Sequence, residues 1–320
     1  MCISVSLLEG VAMATVRRTM PFAIYVVMFA ALALQSDLTG FMVCNLLVQL
    51  AVFVVGACLP AHRTGFMSYV DVAWPWGLAL IGVQVLVFGG LDSPAAVATA
   101  AIYLLMGMRM GAWALRFMVF KRLPGELPRY QYQRRRWERD GFRNEKVSLQ
   151  VEIMVQCGAN IAALAVPAAL ATVRPARLDV VSVAAIALWA VFWVFESVAD
   201  LQKARFADRT RRDGVRRTCD SGLWRYSRHP NYFGQWMQWS SLILLSLPVL
   251  IDRWPHHHIV FGLLTALALA WISWTTYHML VHYTGAVPAE YFSRQRRPDY
   301  IRYQRVTNRF FPGLRRTTHQ

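Results

Sequence analysis

Eight windows of the chain are long apolar runs with almost no charge: 19–36, 40–59, 72–90, 94–115, 153–172, 180–196, 235–251 and 259–281. About 20 apolar residues in helical conformation cross the roughly 30 Å hydrocarbon core of a bilayer. Each window therefore reads as a membrane helix. The purely apolar part of the first extends only from Pro21 to Leu34, so the expected count is seven or eight. The stretches between windows are polar. Segment 116–148, with Arg134-Arg135-Arg136 beside Trp137, reads as an interfacial amphipathic segment or as a lid over a cofactor site. Arg209 to Arg217 reads as a short basic hairpin-like loop, and the tail after 283 is aromatic, basic and too polar to span. Residues 1–18 carry no strong pattern. The expectation is an all-α, polytopic membrane helical bundle. Residues 1–60 would form an N-terminal segment with one or two extra helices, and 61–320 the main domain with a cytosolic tail.

Composition supports this, with 56% hydrophobic residues and 12 Trp among 320. The net charge of +16 adds orientation. Of 34 Lys and Arg, 27 lie in 113–149, 200–234 and the tail after 283, and Arg17 and Arg18 precede the first window. With eight helices all these positions fall on one side, while the loops near 37, 92, 175 and 253 carry only Arg174, Arg177 and Arg253. Such asymmetry places basic loops and both termini in the cytosol. It also assigns the charge to topology and lipid headgroups rather than to nucleic acid. Gln35-Ser36-Asp37 is a poor signal-peptide cleavage site. Five cysteines (Cys2, Cys44, Cys58, Cys157, Cys219) show neither CxxC nor metal spacing. One HxxxH (His278, His282) and the run His256-His257-His258, on opposite sides in this topology, cannot build a two-metal cage.

Candidate chemistry concentrates in Gly222-Leu223-Trp224-Arg225-Tyr226-Ser227-Arg228-His229-Pro230-Asn231-Tyr232-Phe233-Gly234-Gln235. So many directional donors so close to hydrocarbon are expensive and point to function. The preceding window ends in Glu196-Ser197-Val198-Ala199-Asp200-Leu201-Gln202-Lys203, where 196, 200 and 203 share one helix face. That stripe also fits an interfacial ion pair capping the helix. Asp71 stands at the start of the third window, where a carboxylate also suits the helix dipole. Arg109, near the end of the fourth, fits snorkelling to the interface.

Taken together, Glu196-x3-Asp200-x-Gln202-Lys203, the stretch 222–234 and a Tyr-x-x-Tyr tail (Tyr300, Tyr303) ending in Phe310-Phe311-Pro312 resemble the bacterial-type (DUF1295) branch of the steroid 5α-reductase family. The resemblance covers roughly 65–313 and is strongest over 196–235. It implies a seven-helix membrane core holding NADPH in a cavity open to the cytosol. It further implies hydride transfer to the β-carbon of a conjugated enone, with a proton added at the α-carbon. By position, Glu196 and Asp200 would meet the cofactor, and Asn231 and residue 235 would hold the nicotinamide end. Tyr232 and Gly234 would shape the turn. Lys203, Arg225, Arg228 and tail arginines would supply forks to the phosphates, and His229 and Tyr303 complete the expected cofactor-binding set. The family usually carries Glu after the glycine, whereas this chain has Gln235, which can bond a carboxamide but bears no charge. Asp71 is the nearest match for the catalytic acid that polarises the enone. The substrate would be a hydrophobic small molecule entering from the bilayer, with membrane lipids as the other partners and no metal.

Two other classes compete. Membrane methyltransferases of the isoprenylcysteine carboxyl methyltransferase type share an Arg-His-Pro-x-Tyr-x-Gly turn and use S-adenosylmethionine. They usually carry a Glu-Glu pair in the tail, whereas Glu290 here follows Ala289. A non-catalytic membrane protein retaining the fold is the third reading.

Overall fold

The computed structural model describes residues 2–121, 126–173, 178–214, 217–253 and 258–317. Arg174, Arg177, His256 and His257 lie outside them. The described residues are helical with no strand. In order, the helices are α1 Cys2–Ala33, α2 Ser36–Phe53, α3 Leu59–Thr64, α4 Val70–Gly89, α5 Pro94–Lys121, α6 Pro128–Arg139 and α7 Glu145–Gly158. They continue with α8 Val166–Thr172, α9 Val180–Arg212, α10 Pro230–Arg253, α11 Ile259–His278, α12 Ala286–Arg296 and α13 Tyr300–Val306. Single π turns at Val54–Cys58, Ala159–Ala163 and Met279–Tyr283 join α2 to α3, lead from α7 toward α8, and extend α11.

All eight apolar windows are mainly helical, with breaks at Leu34-Gln35, Gly90 and Leu164-Ala165. Six helical stretches are long and apolar enough to cross a membrane: Ser36–Thr64, Met67–Gly89, Pro94–Arg116, Glu145–Thr172, Val180–Arg212 and Ile259–Arg296. Arg18–Ala33 is a shorter apolar helix. The window in α10 is diluted by Gln235, Gln238, Ser240, Ser241 and Ser246, and it is not among the six.

Three expectations need correction. Residues without an apolar period at the N-terminus are nonetheless helical from Cys2 onward. The helix of the sixth window, expected to run through Lys203, continues to Arg212. The expected basic hairpin therefore reduces to a turn at Asp213-Gly214, because Ala, Arg and Lys extend a helix as readily as apolar residues do.

The chain divides into two compact units. The first comprises Met1–Ser182 and Leu245–Ile272. Its core joins Phe53, Ala57, Met67 and Ala73 to Tyr130, Trp137, Leu149 and Ile153. Helix α6 is amphipathic as expected. It buries Tyr130, Gln133 and Trp137 and exposes Gln131, Arg135, Glu138 and Arg139. Deeper in the unit three fully buried carboxamides bond one another. Gln49 donates to Asn45 Oδ1 (3.1 Å) and Asn160 to Gln49 Oε1 (3.1 Å). Asn45 also donates to the carbonyls of Asn160 and Ile161 in the second π turn, at 3.2 and 3.0 Å. Buried carbonyls released by a π turn require such partners.

The second unit comprises Val183–Leu244 and Ser273–Gln320. It pairs α9 with the first half of α10 and packs α12, α13 and the tail around the connection between them. Aromatic rings dominate its interior: Phe233 packs edge-on against Phe192, Phe195, Phe310 and Phe311 at 5.8–6.1 Å between centroids.

Candidate functional site

The polar stripe of α9 and the 222–235 stretch are each other's partners. Gln238 donates to Glu196 Oε2 at 2.6 Å, and Asn231 Nδ2 donates to Asp200 Oδ1 at 3.0 Å. Between these two bonds Gly234 rests on Glu196. A Cβ at Gly234 would lie 3.0 Å from the Glu196 Cβ and 3.2 Å from its backbone nitrogen. Only glycine lets the two helices approach this closely.

Beyond the helix start, Gln202 Oε1 accepts from the Leu223 N–H at 2.9 Å, beside Gly222, whose φ of +60° favours glycine. Trp224 donates to the Ala199 carbonyl at 2.9 Å, and the Lys203 ammonium stands over its ring, 3.6 Å from the centroid. Two consecutive turns of α9, from Glu196 to Lys203, thus hold the connection in place.

Asn231 is half-buried, and its Oδ1 is buried without a hydrogen-bond partner among the described residues. Most buried polar atoms have a partner, so such an acceptor is set up for an N–H from outside the protein. Tyr232 lies flat on the His229 ring, with centroids 5.2 Å apart and planes 1° from parallel. Gln235 follows Asn231 by one helical turn, on the same face of α10.

Arg228, His229 and Tyr303 serve the protein's own framework. Arg228 Nε donates to Glu290 Oε1 at 2.7 Å, and its Nη1 donates to the carbonyls of Gln304 and Thr307 at 2.7 and 2.9 Å. His229 Nε2 lies 3.2 Å from the same Glu290 oxygen. Because a carboxylate only accepts, the neutral ring carries its proton on Nε2. Burial outweighs this bond and pushes the His229 pKa down to about 4. Tyr303 donates its hydroxyl to the carbonyls of Trp224 and Ser227, and burial raises its pKa well above the usual phenol value. Arg225 is exposed on the 3-10 turn Gly222–Arg225. Of the arginines expected to grip phosphates, Arg228 is thus committed within the fold.

Other cations take that place. A cavity of about 660 Å³ in the second unit is lined by Lys203, Arg211 and Arg217 from α9 and the segment after it, and by Arg296 and Arg297 from the end of α12. Phe206, Ala207, Thr210, Gly214 and Cys219 also line it, and no carboxylate does so among the described residues. The wall at 217–219 is fixed by Asp299, which accepts from Thr218 N and Oγ1, both at 2.8 Å. Burial raises the Cys219 pKa, offset in part by the neighbouring Lys203 charge. Of the residues expected at the phosphates, Lys203 and the tail arginines Arg296 and Arg297 line this cavity. Arg211 and Arg217 carried no sequence signal beyond membership of a basic region. Glu290 carried none either, apart from the missing neighbour at 289.

Asp71 belongs to the first unit. Its carboxylate accepts from the Arg129 guanidinium and from the Tyr130 hydroxyl. Tyr130 is 3% exposed, and burial, with the Asp71 charge, pushes its pKa well above the usual phenol value. The pair of bonds fixes the Tyr130 hydroxyl against Asp71. Arg109 lies within Pro94–Arg116. No group of three or more His, Cys, Asp or Glu that could hold a metal occurs among the described residues.

A protein-family model described as a protein of unknown function (DUF1295) matches residues 57–307. That range includes the stripe, the cavity and Asp71. No curated protein and no solved structure matches the chain.

Proposed function

The chain belongs to the DUF1295 family, and we propose that it is a membrane-embedded reductase that uses NADPH to saturate a conjugated C=C bond in a lipid- or steroid-like enone. One observation carries the reading. A single face of α9 runs from the Asp200–Asn231 bond, with its unpartnered Asn231 Oδ1, to Lys203 at the edge of a cavity ringed by four arginines. The eight residues of helix from Glu196 to Lys203 cover roughly 10 Å. An amide acceptor at one end and a polycationic cavity at the other suit a ligand with a carboxamide head and a phosphate-bearing body.

In this reading Lys203, Arg211, Arg217, Arg296 and Arg297 hold the phosphates, including the 2′-phosphate that distinguishes NADPH. Asn231 Oδ1 accepts from the carboxamide, and Asp200 keeps the Asn231 amide turned so that this oxygen faces outward. Gln235, one turn on, adds a second neutral group on the same face. The cofactor supplies the hydride, and the protein supplies position and electrostatics. The hydrophobic substrate reaches the protein from the bilayer. The basic segments around 113–149, 200–234 and the tail face the cytosol.

The test is ligand titration of the purified protein in detergent with NADPH, NADH and S-adenosylmethionine. The expected result is saturable NADPH binding that exceeds NADH binding. Saturable binding of S-adenosylmethionine without NADPH binding would replace this reading by the methyltransferase one. Binding of neither would leave a non-catalytic membrane protein.

A further inference from the structure

Glu290 is 4% exposed and draws together residues scattered over the second unit. Its Oε1 receives Arg228 Nε and faces His229 Nε2, and its Oε2 receives Gln304 Nε2 at 2.8 Å, with Arg309 Nε at 3.5 Å. A buried carboxylate is costly unless paired and fully hydrogen-bonded. Here the pairing is arranged on the two residues that immediately precede the start of α10.

The consequences run along the chain. The Arg228 backbone N–H is held by the Asn308 carbonyl at 2.9 Å. The His229 N–H is held by Ser227 Oγ at 3.1 Å, and that hydroxyl donates to the Phe310 carbonyl at 2.8 Å. With Arg228 and His229 fixed at both backbone and side chain, Pro230 starts α10 at a set place. The His229 ring, held on Glu290, lies flat against Tyr232. Asn231 follows His229 by two residues in this first turn, so the placement of its backbone follows from the anchored Arg228 and His229, and its bond to Asp200 then orients the side chain.

We propose that Glu290 is a positioning residue: through Arg228 and His229 it sets the first turn of α10, and thereby the Asn231 oxygen and the Gln235 side chain, at the ligand-binding face. The inference rests on the NADPH reading given above. Glu290 touches no ligand in it. The carboxylate acts through the turn, and the tail residues Gln304, Asn308 and Phe310 are its support.

The experiment compares wild type, Glu290→Gln and Glu290→Asp, purified in detergent, for thermal unfolding and for NADPH affinity by fluorescence titration of the folded fraction. Glu290→Gln keeps the shape but removes the charge that Arg228 requires and turns one acceptor into a donor. The expected result is a Kd for NADPH raised tenfold or more in folded protein, with Glu290→Asp intermediate. Unchanged NADPH affinity in folded Glu290→Gln would overturn the positioning role and leave Glu290 a structural residue. If Glu290→Gln does not fold, Gln304→Met removes one donor to Glu290 without changing charge. A Kd raised severalfold there supports the proposal, and a Kd within twofold of wild type overturns it. Failure of wild type to bind NADPH is a separate outcome that removes the parent reading.

Discussion

Asn231 gives its side-chain amide to Asp200 at 3.0 Å, while its own carbonyl oxygen is buried with no partner among the described residues. One half of the side chain is thus committed to the fold and the other half is set up to receive a donor. Replacing it with leucine, of similar size, removes both functions. Leaving a ligand N–H without its acceptor costs about 1–3 kcal/mol, or roughly five- to a hundredfold in affinity. Asn231→Leu is therefore expected to weaken NADPH binding by that factor while the detergent melting temperature moves by only a few degrees. A variant that fails to insert or unfolds outright would make Asn231 a turn residue instead.

The cavity arginines make a separate prediction about dinucleotide choice. Arg217→Gln and Arg297→Gln each remove one cation from a cavity lined by Lys203 and four arginines. A charge-assisted hydrogen bond contributes about 1.5–3 kcal/mol. At least one of the two variants should lose NADPH affinity by roughly tenfold or more with a much smaller change for NADH. Equal losses for both dinucleotides, measured by titration, would place the 2′-phosphate elsewhere.

His229 ties stability to pH. Its pKa falls from 6.5 to about 4 because burial disfavours the charged ring more than Glu290 favours it. The unfolded chain then binds the proton more readily than the folded one. The contribution is complete above pH 6.5 and is lost as pH falls from 6.5 toward 4, with no further change below. The loss is at most ~3 kcal/mol. Melting temperature should fall as pH is lowered through that interval for wild type, and His229→Gln should flatten the dependence. Parallel curves for the two proteins would mean that the ring is charged in the fold.

Gln235 stands where the resembled family usually has Glu. A carboxylate there would sit one helical turn from Asn231 and would favour a positively charged nicotinamide ring over a neutral one. Two charges a few ångströms apart interact by about 1 kcal/mol in water and up to ~4 kcal/mol near a protein surface. Gln235→Glu should therefore tighten NADP+ more than NADPH. Identical binding of both redox forms by wild type and variant would show that residue 235 does not reach the ring.

Much of the architecture was legible in the order of residues alone. Lengths of apolar sequence locate the helices, because a backbone in hydrocarbon must satisfy its own hydrogen bonds and a helix does so locally. The helical period likewise puts Glu196, Asp200 and Lys203 on one face without any knowledge of the fold. The rule fails where polarity stops being a guide to helix ends. Hydropathy ends α9 near 196, but its Ala- and Arg-rich continuation remains helical to Arg212 and carries two walls of the cavity, Phe206 and Arg211.

Partner choice was decided only by tertiary structure. Arg228 and Arg217 are both arginines in one basic region, and nothing local distinguishes a framework residue from a cavity residue. The distinction arises because the tail returns to the 222–231 connection. That return brings Glu290, 62 residues away, onto Arg228, and Arg296 and Arg297 into the wall opposite Lys203. Tyr130 meets Asp71 for the same reason, across 59 residues. Periodicity reports which residues share a helix face. The facing element is set by how the whole unit buries its rings and pairs its buried charges, a property of the packed chain and not of any stretch of it.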